Sequence, residues 1–458
     1  MKLASLIPLL ATALGMARAA DSGTFTVTMS PSSTVVQREG ITGAGQVVMN
    51  AAKRITVNYP NHPDDFGGSG GTGTSHSSDG GITWTQGPDD WPLPKMVDLW
   101  QDRLRSGEMI AFGIRWVPDP KKRGEITAQD VPANAYQIAI TKDQGRTWQT
   151  ETARIECPAQ FGVIARPLPH VFEDEKGALF MPAYSWGKHG NHALLLTSAD
   201  RGRHWTVLSS ITTAAAMVKA GAPVTTPWLE TTVSPAKNGD WLAVVRTGSS
   251  AQSSLVSLRS ADHGRSWSTP EKLPIAGKLP TLQLLPNGML ALLTAHSKNH
   301  CRLHLSSDGT GRDWGDAQIL TSQCGGNAGM TVIDDHSLLV ITPANRRIDA
   351  WRVTILPRAG MNTALPSPAN ISFSKGVLSW SASTGAANYQ IRPILLKPAA
   401  SYTDTEVHPH AIIQTAEPRL NLSRQLLIGG TYQFEITTVD REGRVSPATS
   451  SAQVVMLP

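Results

Sequence analysis

Two charged residues flank a pair of short apolar segments in the middle of the chain, and their types and spacing suit chemistry on an anionic ligand. Glu230 opens the segment 231–235, and Arg246 lies near the end of the segment 241–247. A glutamate carboxylate can accept a proton from a neighbouring group, and a guanidinium binds a carboxylate through two parallel hydrogen bonds. The turn 238–240 (Asn-Gly-Asp) predicts that the segments pair as antiparallel strands. Glu230 and Arg246 then meet at one end, either in a pocket or as a salt bridge at a sheet edge.

Other side chains could complete a binding pocket. Trp100 and Trp228 offer flat apolar surfaces on which a sugar or another flat ligand could lie, and Arg166 flanks a further apolar segment. Packing in the hydrophobic core is the alternative role for the tryptophans. We therefore expect Arg166, Trp100 and Trp228 as candidate substrate-binding residues.

The elements that must position these residues are indicated by one pattern, Ser-x-Asp-x-Gly-x-Thr-Trp, which occurs five times. The copies are residues 77–84, 141–148, 198–205, 260–267 and 306–314. A repeat of this length corresponds to one supersecondary unit per copy. The Asp can accept bonds from backbone N–H groups of a turn, the Gly permits a positive φ, and the Trp packs between sheets. We assign these Asp boxes to folding rather than to catalysis.

Each repeat contains short apolar segments separated by turns, which predicts four antiparallel strands and therefore a propeller blade. Five blades carry a box. A sixth, without a box, is predicted from the segments 330–334, 337–342 and 348–355, with the N-terminal segment 24–29 completing it. The predicted fold class is all-β, a six-bladed β-propeller over residues 21–357.

The end of the chain predicts a second domain. Residues 358–368 contain Gly, Asn and spaced prolines and are predicted to form a linker. Residues 369–458 have the size and the strand alternation of an immunoglobulin-like β-sandwich, clearest in the segment 430–440. This region resembles a fibronectin type III domain, and such modules act as spacers or docking surfaces.

Composition and charge limit the partners. The chain has 458 residues and a net charge of +5 without a run of basic residues, so a nucleic-acid partner is not indicated, whereas an anionic small molecule or polysaccharide is weakly favoured. No Cys/His spacing indicates a metal site, and no cofactor is expected. Cys301 and Cys324 could form a disulfide that leaves Cys157 unpaired, or all three could be buried thiols.

Residues 1–20 are predicted to be a secretory signal peptide. Lys2 supplies a positive start, an apolar stretch rich in Leu and Ala follows, and 17–19 (Ala-Arg-Ala) matches a small-x-small cleavage site. The apolar run is shorter than the roughly 18 residues of a membrane-spanning helix. We expect the mature protein to be secreted, to the extracellular space or the periplasm, without a transmembrane segment.

The boxes and the six-blade count resemble the sialidase superfamily of exo-glycosidases. These enzymes use a tyrosine nucleophile beside a glutamate, an aspartate as general acid/base, and three arginines that bind the substrate carboxylate. The resemblance implies catalytic roles for Glu230 and for Asp65, in a Gly-rich loop, and substrate binding by Arg246 and Arg302. Two turn aspartates at 64–65 and a solvated strand charge at Arg302 are the alternatives.

The sequence departs from the superfamily in two places. The stretch 325–331, where the nucleophile is expected, has no tyrosine, and the stretch 40–45 lacks the Arg-Ile-Pro motif of the first arginine. The leading hypothesis is exo-acting hydrolysis of a terminal, anionic sugar of a glycan. The alternatives are a non-hydrolytic enzyme, a lyase or cyclase, that uses the same pocket, and a propeller that binds a ligand without catalysis.

Overall fold

A computed structural model describes most of the chain, namely residues 25–38, 46–61, 71–89, 91–250, 252–296, 300–321, 328–344, 346–357, 360–399, 410–426 and 428–457. Within these ranges the structure is almost entirely β. The helical elements are the α-helix α1 (Ala214–Lys219) and three short 3₁₀ helices, Pro120–Lys122, Ala128–Asp130 and Ala159–Phe161. No helix in these ranges is long and apolar enough to cross a membrane.

The strands of the first part of the chain form six four-stranded blades. Two strands precede them, β1 (Phe25–Met29) and β2 (Ser33–Gln37). Blade 1 contains β3 (Gln46–Met49), β4 (Ile55–Pro60), β5 (Thr72–Ser77) and β6 (Thr85–Gln86), and blade 2 contains β7 (Asp98–Arg103), β8 (Met109–Ile114), β9 (Tyr136–Thr141) and β10 (Gln149–Glu156). Blade 3 contains β11 (Val163–Pro167), with its short continuation β12 (Phe172–Glu173), then β13 (Leu179–Trp186), β14 (His192–Ser198) and β15 (His204–Thr213).

The remaining blades follow the same order. Blade 4 contains β16 (Thr231–Pro235), β17 (Trp241–Val245), β18 (Ser254–Ser260) and β19 (Glu271–Ala276), and blade 5 contains β20 (Lys278–Leu284), β21 (Leu290–His296), β22 (His300–Ser306) and β23 (Gln318–Thr321). Blade 6 contains β24 (Gly329–Asp334), β25 (Ser337–Ala344) and β26 (Arg347–Pro357), and β1 is its fourth strand. The predicted fold class is confirmed.

Blade 6 is closed by the beginning of the described chain, as predicted from the segment 24–29. β1 pairs antiparallel with β26, with Phe25 opposite Pro357 and Met29 opposite Val353. β2 continues along the same edge of β26, opposite residues 347–350. The ring is therefore held shut by backbone hydrogen bonds between its two ends.

The first strand of each blade lies innermost, and the inner strands of blades 4, 5, 6, 1 and 2 touch one another in that order around the ring. A hydrogen bond joins blades 4 and 5 directly, because Leu282 N on β20 donates to Thr232 Oγ1 on β16 over 3.2 Å. Aromatic side chains fill the space between the outer parts of the blades. Trp241 of blade 4 packs edge-on against Phe172 and Phe180 of blade 3, with ring centroids 5.0 and 4.8 Å apart.

The Asp boxes are turns that satisfy their own polar groups. In the box of blade 4, Asp262 accepts bonds from the Ser260 hydroxyl and from the Ser266 backbone and hydroxyl, and Gly264 N donates to Ser260 Oγ over 2.7 Å. The bonds from Ser266 hold the pKa of Asp262 well below its usual range. Gly264 adopts a φ of 80°. The box aspartate is thus committed to the turn, which supports a structural role.

The C-terminal strands form two sheets. One contains β27 (Ala369–Ser374), β28 (Val377–Ser381) and β31 (Arg419–Asn421); the other contains β29 (Asn388–Lys397), β30 (Ile412–Thr415), β32 (Thr431–Val439), β33 (Thr449–Ser450) and β34 (Val454–Val455). Their apolar faces share one buried cluster with residues of blades 5 and 6. The arrangement is the sandwich that the sequence indicates, while the fibronectin type III assignment and the domain boundaries stay predictions.

The sandwich and the propeller are joined by a strand pairing and by polar side-chain contacts. β30 pairs in parallel with β1, Thr28 opposite Ile412, so that one sheet runs from blade 6 into the sandwich. Arg424 Nη1 donates to Thr34 Oγ1 over 2.7 Å and lies 3.4 Å from Asp349, a fully buried carboxylate of β26. Asp349 forms a second ion pair with Arg347, whose Nε lies 2.7 Å from Asp349 Oδ2.

His410 lies at the same junction and makes it sensitive to acid. Ala411 N donates to Ile319 O of blade 5 over 3.0 Å, and the buried His410 ring packs against Tyr432, with ring centroids 5.6 Å apart. Burial lowers the pKa of His410 to about 4. The unfolded chain therefore binds more protons than the folded one between about pH 4 and 6.5, and stability falls as the pH falls through this window.

We expect the free energy of unfolding to drop by about 2 kcal/mol between pH 7 and pH 5 on account of His410 alone. The variant His410→Leu should lose this part of the pH dependence, whereas the exposed control His189→Leu should keep it. Urea unfolding at the two pH values measures the difference. Equal pH dependence in the His410 variant and the wild type would refute the prediction.

The tight packing around the glycines of the Asp boxes can also be tested. A Cβ at Gly264 would collide with the Leu195 side chain and lie 3.0 Å from the Trp241 ring, whereas a Cβ at Gly107, which has a similar φ of 87°, would meet nothing within 4 Å. Gly107→Ala should cost about 1 kcal/mol of unfolding free energy, from its backbone alone, and Gly264→Ala about 3 kcal/mol, because packing strain adds to it. Urea unfolding of the two variants measures both costs; similar values would contradict the packing argument.

Candidate functional site

A cluster of charged side chains lies at or just before the first residues of the inner strands of blades 2, 4 and 5, beside Arg166 near the end of β11 in blade 3. Glu230 immediately precedes β16 and Arg246 immediately follows β17, so the antiparallel register brings them together. Arg246 Nη1 lies 2.6 Å from Glu230 Oε2, and Arg246 N donates to Glu230 O over 2.9 Å. The side chains are only 8% and 13% exposed. The pair predicted from the sequence is therefore formed, and it is largely removed from water.

Two further contacts fix the Arg246 guanidinium. Its Nε donates to the carbonyl oxygen of Gly248 over 2.7 Å, and its central carbon lies 5.8 Å from the centroid of the half-buried Trp228 ring. A guanidinium over an indole face is stabilised by cation–π attraction. Within the described residues no group accepts the Nη2 hydrogens. Arg246 is thus rigidly placed and still has donors for a ligand.

Blades 2 and 3 add a second ion pair beside the first. Asp98, the first residue of β7, lies 2.6 Å from Arg166 of β11. Arg166 lies opposite Tyr184 on β13. Burial raises the pKa of Tyr184 strongly; Arg166 lowers it, and the negative charges of Glu230 and Asp98 raise it further. Arg166, Tyr184 and Glu230 are therefore close enough to interact electrostatically across two blades.

Lys278, the first residue of β20, is a cation of this cluster that the sequence analysis missed. Burial lowers its pKa, the positive charge of Arg246 lowers it further, and the negative charge of Glu230 opposes the change. Sequence reasoning could not identify Lys278, because its relation to Glu230 depends on the contact between two blades. Tyr184 was missed as a site member for the same reason.

Three other candidates lie elsewhere or outside the described residues. Trp100 is 3% exposed in the core between blades 2 and 3, where its ring stacks on Phe112 with centroids 5.7 Å apart, so it offers no surface to a ligand. Arg302 lies on β22, is 2% exposed, and its Nε donates to His300 Nε2 over 3.1 Å. Asp65 lies outside the described residues, as does Cys324. In the described ranges, no three His, Cys, Asp or Glu side chains could together hold a metal ion.

The comparison with protein families identifies the repeats. Residues 120–403, more than half of the chain, match the BNR repeat-like domain family. The chain belongs to this family. No curated protein matches it by sequence.

Solved structures support the same fold. A protein of unknown function from Dyadobacter fermentans superposes with a TM-score of 0.55 at 15% identity, covering 72% of this chain and 99% of that one. The Hadza microbial sialidase Hz136 superposes with a TM-score of 0.51 at 17% identity, covering 68% and 65%. The NanB sialidase of Streptococcus pneumoniae gives 0.50 at 11% identity, covering 71% and 70%. At these identities the likeness shows a sialidase-like fold and no activity.

The ion pair at the site makes a stability prediction. Arg246→Met should cost about 3 kcal/mol of unfolding free energy, because it leaves the buried Glu230 carboxylate without its counter-charge. The double variant Arg246→Met/Glu230→Gln should lose clearly less than the sum of the two single variants. Arg105→Met is the control, because Arg105 and Glu175 form a pair that is 62% and 82% exposed. Additive losses in urea unfolding would show that the buried pair is not coupled.

Proposed function

We propose that this BNR-repeat protein is an exo-acting glycosidase that removes a terminal, anionic sugar from a glycan. The observation that carries the proposal is the buried Glu230–Arg246 pair at the inner end of blade 4, with Arg166, Asp98 and Lys278 around it. Convergent carboxylates and cations at one end of a propeller axis suit an anionic sugar. A core of tryptophan and leucine at this position would instead have suited an apolar ligand.

The proposed division of labour follows from the contacts. The Nη2 hydrogens of Arg246 have no acceptor among the described residues, and a guanidinium can present two of its hydrogens to a carboxylate. Glu230 is held in place by Arg246. Its proposed role is to stabilise the positive charge that develops on the sugar in an oxocarbenium-like transition state. Asp65 is proposed to protonate the leaving oxygen and then to deprotonate the attacking water.

One observation favours a second candidate, a non-hydrolytic enzyme, a lyase or cyclase, that uses the same site. The stretch 325–331 contains no tyrosine, and the phenol near Glu230 in the described structure, Tyr184, is 1% exposed with a strongly raised pKa. A buried, protonated phenol is a poor nucleophile. Elimination needs no covalent enzyme intermediate, so it would tolerate this loss.

The proposal also includes the location of the protein. We propose that the chain is exported, that residues 1–20 are removed, and that the C-terminal sandwich, resembling a fibronectin type III domain, is a spacer or docking module. The mass of the mature protein recovered outside the cytoplasm would test the cleavage after Ala19 or Ala20.

The catalytic proposal is tested with fluorogenic sialosides, uronides and neutral glycosides. We expect release of the fluorophore from an acidic glycoside, and a loss of at least a hundredfold in kcat for Glu230→Gln, because the variant keeps the shape of the side chain and removes its charge. The matched control is Glu271→Gln, on the exposed outer strand of blade 4. Full activity in Glu230→Gln would refute the assignment of Glu230. An unsaturated sugar product would favour the lyase.

A further inference from the structure

Lys278 opens the inner strand that neighbours the one preceded by Glu230. The inner strands of blades 4 and 5 are tied together by the hydrogen bond from Leu282 N on β20 to Thr232 Oγ1 on β16. Lys278 is the first residue of β20, and Glu230 immediately precedes β16, so both residues lie at the start of neighbouring inner strands. The charges of Arg246 and Glu230 both act on the Lys278 ammonium and shift its pKa in opposite directions.

Among the described residues, Lys278 has no counter-ion of its own. Glu230 is already bound to Arg246 at 2.6 Å, and no acidic side chain forms an ion pair with Lys278 in the described part of the chain. The residue is half-buried, so water screens its charge incompletely. Because Glu230 neutralises one of the two neighbouring cations, Lys278 leaves the cluster around blade 4 with a surplus positive charge.

The backbone is unusual on both sides of Lys278. Leu279 adopts a φ of 51°, which is uncommon for a residue other than Gly, Asn or Asp. A Cβ at Gly277 would lie 2.7 Å from the Thr294 Cβ, so only glycine fits beside β21. The pairing of β20 with β21 shifts register between Lys278 and Thr281. Strain of this kind persists where the surrounding structure fixes it, and it concentrates at ligand sites.

We propose that Lys278 is a specificity-determining residue that binds the carboxylate of an acidic sugar, such as a sialic or uronic acid, together with Arg246. This inference rests on the proposed function for its substrate class. In this assignment Lys278, in blade 5, supplies the cation that the stretch 40–45 before blade 1 does not supply, because that stretch has no Arg-Ile-Pro motif. An ammonium acts as a point charge, so the site would accept acidic sugars of more than one shape while discriminating against neutral ones.

Equilibrium binding tests this assignment independently of turnover. N-acetylneuraminic acid and glucuronic acid are titrated into the full chain by calorimetry, with N-acetylglucosamine as the neutral comparison. We expect Lys278→Met to weaken binding of the acidic sugars about 10- to 100-fold and to leave the neutral sugar unchanged, because a hydrogen bond to a charged group is lost. Lys278→Arg should restore most of the affinity, and Lys272→Met, on the exposed outer strand, should have no effect.

The outcomes separate the two proposals. Binding of an acidic sugar that depends on Lys278, without hydrolysis of any glycoside, would support the assignment of Lys278 and refute the glycosidase. Hydrolysis of an acidic glycoside with unchanged affinity in Lys278→Met would do the reverse. Wild-type protein that binds neither acid would overturn the assignment of Lys278. If Lys278→Met has a lowered unfolding midpoint, Lys278→Gln replaces it, with the same expected loss.

Discussion

The structure depends on the closure of a ring. The last blade is complete only when β1 pairs with β26, because β26 otherwise presents an unpaired edge. Closure also decides where the inner strands lie, since those of blades 4, 5, 6, 1 and 2 touch in succession around the axis. Asp98, Glu230 and Lys278 belong to three different blades and share one end of the axis for this reason. The candidate site is therefore a product of the whole ring rather than of any one blade.

Burying the charges at the site reduces the free energy of unfolding. Glu230 and Arg246 are mostly withdrawn from water, and the attraction within a buried pair seldom repays the full loss of hydration. The Asp boxes lie at exposed turns, where each box aspartate accepts hydrogen bonds from its own turn, so they stabilise the five blades that carry them without placing charge near the axis. Scaffold and site thus use the same residue types in opposite settings, and this explains why the boxes carry information about the fold and little about chemistry.

Sequence patterns predicted what is local and missed what joins blades. β16 has the predicted bounds and β17 begins where predicted, because apolar residues and an Asn-Gly turn define them within a few positions. The Glu230–Arg246 pair was also predictable, since both residues belong to one hairpin. The burial of Trp100 in the core was not predictable, because a core tryptophan and a tryptophan that binds a ligand have the same local sequence pattern. Tyr184, Lys278 and the pairing of β1 with β30 depend on contacts between blades or between the propeller and the sandwich, which spacing along the chain does not encode.

The position of β1 between β26 and β30 sets the order in which the chain can fold. Thr28 bonds to a carbonyl oxygen 326 positions away, and its other neighbour, Ile412, comes later still. A ribosome must therefore deliver about three quarters of the polypeptide before β1 finds β26, and more still before it finds β30. Contacts of such long range slow folding, and an unpaired strand that waits for them can pair with another chain instead. The step that completes the ring is thus also the step at which productive folding competes with aggregation.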